Sequence, residues 1–306
     1  DLEQALPCFR GSKQQKDQII EYAIAWGYRH NIIIKKLYEG NILFLRGETL
    51  KKTNLSEMIV SVSLKLAEGY KPLRVPFEAL NDFSTINDRH WANHHFESGH
   101  RKEDMAIPGF NCIVLDVDGT FPLATAKEVL KEYKAYFYTT KRHQDADQVD
   151  RYRVILPTNY ELQLDREEYK MFMNNVMSSL PFEMDESCNQ RSKKWLTCES
   201  AVSYSNEGEL FDVIPYIPRT EKNEKREAQF KDQKDLDNLE RWVINNTGDG
   251  NRNKQLYNYA MVLFESGTDF VEIGRKVRSL NDKLVDKLTD EELQATILKS
   301  VAGKRR

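Results

Sequence analysis

The sequence predicts an α+β protein: a core of order β-α-β-β-α-β behind an N-terminal extension, followed by a small all-α helical bundle. Three observations carry this. An apolar run, Cys112 to Leu115, leads into Asp116-Val117-Asp118-Gly119 as a strand leads into a turn. Farther on, Tyr169, Phe172, Met173, Val176, Met177 and Leu180 recur at helical spacing behind Asp165 and Glu168, a capping-box start. Composition then shifts between Arg219 and Lys234, where Phe230 is the one large apolar residue in a charged, polar run. A segment that cannot bury surface reads as a linker. The predicted boundaries are therefore 1–218 for the core-bearing domain, with its core at about 111–199, then 219–234 for the charged linker and 235–306 for the bundle.

Taken in order, Asp17 to Trp26 reads as a helix, Asn41 to Leu45 as a strand and Leu55 to Leu66 as a helix, an extension packed on the same domain. After the strand that ends at Asp118, Ala124 to Tyr133 reads as a short helix. Ala135 to Thr140 and Arg151 to Leu156 are aromatic or β-branched runs on either side of the polar loop Lys141 to Asp150, which predicts an antiparallel pair. The amphipathic helix follows, and Lys193 to Glu199 supplies a final strand. That succession is the split βαβ, or RRM-like, arrangement, with the first strand central. Beyond the linker, Leu236, Leu239 and Val243 open one helix, Leu256, Tyr259, Ala260 and Leu263 another, and Leu293, Ile297 and Val301 a last one.

With 306 residues, 40% apolar and 30% charged, the chain has material for two cores, which excludes disorder throughout. Lys and Arg number 45 against 48 Asp and Glu, so no global basic field announces a nucleic-acid partner, and any such partner needs a local patch. Cys8, Cys112, Cys188 and Cys198 lie far apart without zinc-knuckle or redox spacing, and the sequence shows no signal-peptide pattern; a reducing cytoplasm is the expected location. Apolar runs such as Ile32-Ile33-Ile34 fall far short of the roughly 20 residues of a membrane span, so a soluble protein without a membrane partner is expected. Because the chain opens at Asp1 without Met, its natural N-terminus is expected to lie upstream.

Residues two apart on a strand share a face, so Asp116 and Asp118 project together with Cys112 and Val114. Paired carboxylates ending an apolar strand call for a positive partner, and Mg²⁺ or Mn²⁺ prefers such oxygen ligands. The plainer alternative is a turn in which both side chains cap backbone amides. Lys141, Arg142, His143, Arg151 and Arg153 follow on the loop and the next strand, Arg151 and Arg153 sharing a face; carboxylates beside fixed cations suit a metal and a triphosphate together. A solvated basic face is the alternative there. A third carboxylate, Asp185, follows the amphipathic helix, with Arg191, Lys193 and Lys194 close behind. Three carboxylates among cations fit two-metal nucleotidyl transfer, although an Asp such as Asp185 is by itself more often an ordinary loop residue than a ligand.

These stretches resemble the archaeo-eukaryotic primase superfamily, most closely the primase-polymerases of phages and plasmids. The resemblance rests on Ile113-Val114-Leu115-Asp116-Val117-Asp118, Tyr138-Thr139-Thr140-Lys141-Arg142-His143, Arg151-Tyr152-Arg153-Val154-Ile155-Leu156-Pro157, and Met184-Asp185 with Arg191 six residues later. Gly250-Asn251-Arg252-Asn253, Leu256, Gly267, Asn281 and Glu292-Leu293 are similar to the helical domain that often follows such cores. The resemblance implies that Asp116, Asp118 and Asp185 bind two divalent ions, Mg²⁺ or Mn²⁺, and that His143 touches the incoming nucleotide's phosphates, with Lys141 standing where the second motif has Ser. Lys141, His143, Arg151, Arg153 and Arg191 become the candidate nucleotide-binding set. The implied function is primer synthesis from NTP or dNTP on a single-stranded DNA template in phage or plasmid replication, in the host cytoplasm, with a replicative helicase fused or in trans.

Two further readings compete. Leu115-Asp116-Val117-Asp118-Gly119-Thr120 matches the signature of haloacid-dehalogenase-like phosphatases, in which Asp116 would be the nucleophile; that family also needs a Gly-Asp pair at a strand end, and Gly248-Asp249 has no apolar strand before it. A non-catalytic RRM-like module would instead stack bases on Tyr136, Tyr138 and Tyr152. A zinc site at His90, His94, His95 and His100 is a weaker expectation, since the surrounding residues read as an ordinary helix and loop without a fourth ligand.

Overall fold

The computed structural model describes residues 11–40, 42–248 and 250–305, so Cys8 and Asp249 lie outside the described residues. Its architecture is α+β. Helix α1 (Lys13–Arg29) starts at Ser12, whose hydroxyl accepts from the Gln15 amide while the Gln15 side chain accepts from the Ser12 amide. Strands β1 (Ile32–Glu39) and β2 (Ile42–Thr49) form a hairpin. Within it Lys35 is buried, its ammonium 2.9 Å from Glu48 and 2.7 Å from Glu168, which ties the hairpin to the core. Next come β3 (Lys51–Lys52), β4 (Met58–Ser63), β5 (Lys71–Val75), α2 (Leu80–Ser84), β6 (His90–Ala92) and the short pair β7 (His95–Phe96) and β8 (Ala106–Ile107).

The expected helix over 55–66 is instead strand β4. Met-Ile-Val-Ser-Val-Ser is almost wholly buried inside a sheet ordered β12 (Trp195–Leu196), β6, β4, β5: Met58 and Val60 enter an apolar core, and the Ser61 and Ser63 hydroxyls donate to the His94 and Glu68 carbonyls. Pairing with β5 on one side and β6 on the other decides the strand, and Val60-Ser61-Val62-Ser63 keeps its period-two alternation.

The core follows with β9 (Phe110–Asp118), α3 (Leu123–Val129), β10 (Ala135–Thr139), β11 (Arg151–Leu162), α4 (Arg166–Ser179), β12 (Trp195–Leu196) and β13 (Ser203–Asn206). β11 is the hub: β9 pairs along one side of it, β10 and β3 along the other, and β13 borders β10, all antiparallel. Two expectations change here. The segment expected as the closing strand gives only β12, which joins β6 in the other sheet because the Trp195 ring packs 4.9 Å from that of Trp91. β9, expected at the centre, has β11 as its one sheet partner, and β13 takes the far edge beside β10.

One face of this sheet, carrying Ile113, Leu115, Val117, Phe137 and Val154, packs on Ala126 of α3 and on Phe172, Met173 and Val176 of α4. The opposite face, carrying Cys112, Val114, Tyr136, Tyr138 and Ile155, packs on Met58, Val60, Trp91 and Trp195 of the second sheet. The molecule is thus layered helix, sheet, sheet, and β9 lies between two cores.

The segment expected as a linker is helix α5 (Glu221–Asp232). Thr220 caps it, Asn223 donates to the Pro215 carbonyl at 3.2 Å, Arg226 donates to Ser179 Oγ at 3.2 Å, and Glu224 takes Lys36 at 2.7 Å. Its few contacts are polar, which is why apolar patterning misses it. Helices α6 (Asn238–Asn246), α7 (Arg252–Glu265), α8 (Phe270–Asp282) and α9 (290–302, with a π-helical stretch Leu293–Leu298) enclose a C-terminal core in which Ile273 and Val277 of α8, a helix not expected, join the expected Val243, Leu256, Tyr259 and Ile297. This bundle docks on α3: Thr125 donates to Glu265 at 2.9 Å, Lys254 pairs with Glu128 at 2.6 Å, and Val262 joins the main core. Among the described residues no helix is long and apolar enough to cross a membrane.

Candidate functional site

Strand register builds the first half of the site. Asp116 lies opposite Arg153 and Asp118 opposite Arg151, so each carboxylate faces a guanidinium across the β9–β11 ladder. Arg153 Nε donates to Asp116 Oδ1 at 3.0 Å, and its Nη1 reaches the Leu196 carbonyl at 3.0 Å and Tyr138 OH at 3.4 Å. Burial by itself lowers the Arg153 pKa, but Tyr138 and Asp116 more than reverse this, so the group stays a cation. Asp118 receives Arg151 Nε at 2.5 Å and Arg142 Nη2 at 3.2 Å, while the other end of Arg151 grips Asp147. That hydrogen bond, the largest influence on Asp147, holds its carboxyl at about 2.

The turn after Asp118 needs glycine. Gly119 sits at φ +86°, and a Cβ there would lie 2.5 Å from Val149 Cγ1 in the β10–β11 loop, so strand end and loop are pressed together.

Asp185 supplies the second half. Its amide donates to the Asp116 carbonyl at 3.4 Å, and it caps the short 3₁₀ turn Glu186–Asn189, with Oδ1 accepting from Ser187 N at 2.8 Å and Ser187 Oγ at 2.7 Å. Lys193 Nζ lies 2.5 Å from Asp185 Oδ2 and 3.9 Å from Asp116 Oδ2, bridging the two carboxylates. Burial pushes the Asp185 carboxyl up, yet hydrogen bonds from Lys193 and Ser187 together outweigh it and hold the group at about 2.

The remaining predicted residues divide. His143 belongs to the loop beside Asp118; its Nδ1 accepts from the Arg151 amide at 3.1 Å, so the neutral imidazole carries its proton on Nε2. Lys141 is exposed and borders a cavity of about 320 Å³ lined by Asn87, Asp88, Thr197 and Ser200. Arg191 is not with the aspartates: it is buried against Glu103, with Nε 3.3 Å from Oε1 and Nη2 donating to the Glu103 carbonyl at 3.0 Å, an anchor for the segment that carries Lys193. Arg142 and Lys193, named among the neighbouring cations but not in the candidate binding set, enter the site as direct partners of the carboxylates, and Tyr138, expected as a stacking ring, as a partner of Arg153.

Two expectations fail on burial and secondary structure. Tyr136, Tyr138 and Tyr152 are at most 2% exposed, covered by the second sheet or by helices, so none offers a ring for base stacking. His90 and His94 do not share a helix face: His90 is on β6, and His94 is buried against Phe110 and Tyr169.

Among the described residues no three His, Cys, Asp or Glu side chains converge as a metal-holding group, because Asp118 turns to Arg151 and Arg142 while Asp116 and Asp185 share Lys193. The donors are hard carboxylate oxygens, and the Lys193 ammonium marks where a cation sits between two of them. This pair fits one Mg²⁺ or Mn²⁺; a second ion additionally requires Asp118 to part from Arg151.

Comparison with known proteins adds no neighbour: no family model, no curated protein and no solved structure matches this chain.

Proposed function

We propose that this chain is a template-dependent primase-polymerase that joins nucleoside triphosphates, NTP or dNTP, on single-stranded DNA in phage or plasmid replication. The observation that carries the reading is that Asp116, which shares a face of β9 with Asp118, meets Asp185 through the Lys193 ammonium and through the Asp185 amide on its own carbonyl. The succession β9-α3-β10-β11-α4 supports an RRM-like core whose closing strand has moved to the opposite edge.

In this reading Asp116, Asp185 and, once released, Asp118 hold one or two divalent ions. Bound there, such ions activate an attacking hydroxyl and stabilise a leaving pyrophosphate. Arg151 and Arg142 transfer from Asp118 to triphosphate oxygens, which accept the same donors more strongly because they carry more charge. His143 donates its Nε2–H to a phosphate, and Lys141 closes the loop side. Arg153 stays with Asp116 and orients it. Lys193 yields its place between Asp116 and Asp185. A replicative helicase, fused or in trans, is the expected partner, and the host cytoplasm the setting.

The test is primer synthesis with labelled nucleotides on single-stranded DNA, with Mg²⁺ or Mn²⁺ supplied. Synthesis by the wild type and none by an Asp116→Asn, Asp118→Asn double variant supports the proposal; synthesis surviving in the variant overturns it. An acid-stable phosphate trapped on Asp116 from a phosphate monoester would instead establish the phosphatase chemistry.

A further inference from the structure

Beside the aspartates lies a concentration of positive charge that the nucleotide loop does not use. The segment 192–196 carries Lys193 and Lys194, accepts Arg153 at the Leu196 carbonyl, and accepts Arg101 Nη1 at the Ser192 carbonyl, 2.5 Å away. Arg153 and Lys193 are neutralised by Asp116 and Asp185. Arg101 and Lys194 are different: both are partly buried, and among the described residues neither forms an ion pair. Burial first, and then Arg101, Arg153 and Lys193, lower the Lys194 pKa and outweigh the opposing pull of Asp116, so its ammonium sits chiefly among like charges. Burial first, and then Lys194 and Arg101, lower that of His90, which lies across the β6–β12 ladder from Leu196. Cations held close together with less counter-charge than they carry repel one another, and an anion relieves the repulsion.

Apolar side chains flank these cations. Arg101 Nε donates to the Leu66 carbonyl at 2.9 Å, and Leu64, Leu66 and Leu196 are exposed, at 71%, 56% and 40%. Alternating charge and apolar surface is what a nucleic-acid strand requires, phosphates on the cations and sugars or bases on the apolar groups. The place also fits. The β10–β11 loop supplies cations on the Asp118 side, whereas Arg101 and Lys194 gather around the segment whose Lys193 bridges Asp116 and Asp185.

We propose that Arg101 and Lys194 form a seat for backbone phosphates of a single nucleic-acid strand, so that the strand runs along the segment 192–196 past Asp116 and Asp185. The inference rests on the polymerase reading for its orientation, but strand binding is measured without synthesis.

The probe is a fluorescein-labelled 12-nucleotide oligo-dT, titrated with the full chain by anisotropy from 50 to 200 mM salt. Each phosphate contact to a single strand contributes about 0.7 to the slope of log affinity against log salt, so an Arg101→Gln, Lys194→Gln double variant should lose about 1.4 from it. Over that fourfold salt range its affinity should fall about sevenfold less than that of the wild type. Arg101→Lys, which keeps the charge, should retain the wild-type slope. Nucleoside triphosphate affinity with Mn²⁺ should be unchanged in the double variant. Equal slopes for wild type and double variant overturn the seat; so does an unchanged slope with a weakened nucleotide affinity, which would assign these cations to the free nucleotide. The expected loss of slope in a protein that makes no primers upholds the seat and removes the polymerase assignment alone.

Discussion

His94 offers a sharp test of how the core beneath the site is built. It is fully buried between Phe110 and Tyr169, its Nδ1 lies 3.1 Å from Asn93 Oδ1, and among the described residues its Nε2 has no hydrogen-bond partner. Burial, with smaller help from Arg191 and His95, lowers its pKa from the ordinary 6.5 to about 3. Because the folded value is depressed, the unfolded chain takes up a proton that the folded chain refuses. The stabilisation is complete above pH 6.5 and drains away as the pH falls from there towards 3. At pH 5 the unfolded state has gained about 2 kcal/mol from this one group relative to pH 7.5. The perturbation is His94→Gln, which keeps an amide beside Asn93 but cannot titrate. Urea unfolding followed by tryptophan fluorescence suits the measurement, since Trp91 and Trp195 pack in an adjoining core. Between pH 7.5 and 5 the wild type should lose about 2 kcal/mol more than the variant. Identical losses would refute the reasoning, for the imidazole would then be reaching water or a partner that accepts its charge.

Three further outcomes follow from the contacts at the site. Asp116→Ala should destabilise the fold by about 2–3 kcal/mol by stranding the guanidinium of Arg153, whereas Asp116→Asn should abolish synthesis with little change in thermal unfolding; equal melting temperatures for the two would dismiss the Arg153 pair as a structural element. His143→Ala should weaken nucleotide binding severalfold and leave Mn²⁺ binding intact, and a normal nucleotide affinity would move the β10–β11 loop out of the site. A chain ending at residue 218 exposes the surface that Leu239, Trp242 and Val262 cover, so primer initiation and primer extension should fall together, and extension at the wild-type rate would contradict the docking.

Legibility followed locality. Helix α4 was readable because its capping box and apolar stripe lie within a short stretch, and the antiparallel pairing of β10 with β11 because a polar loop separates two β-rich runs. The Asp116–Asp118 spacing gave a shared face, and the same alternation in Arg151 and Arg153 gave the cations opposite them. What escaped depended on distant partners. β12 pairs with β6 through Trp91, more than a hundred residues earlier, and Arg101 reaches Ser192 across a similar gap. Helix α5 escaped for another reason: its sequence is charged enough to live in water, and the side chains that fasten it are polar. Arg191 was misplaced because sequence proximity to Asp185 says nothing about Glu103, which claims it.

The Lys193 bridge between Asp116 and Asp185 also bears on how such a protein endures idleness. An acidic pocket left bare repels itself and tends to loosen, or to scavenge whatever ion is abundant. Here a tethered ammonium, together with Arg151 and Arg153, keeps the acids quiet from within. In the proposed reaction an arriving ion must displace this resident ammonium, which sets a threshold for its entry.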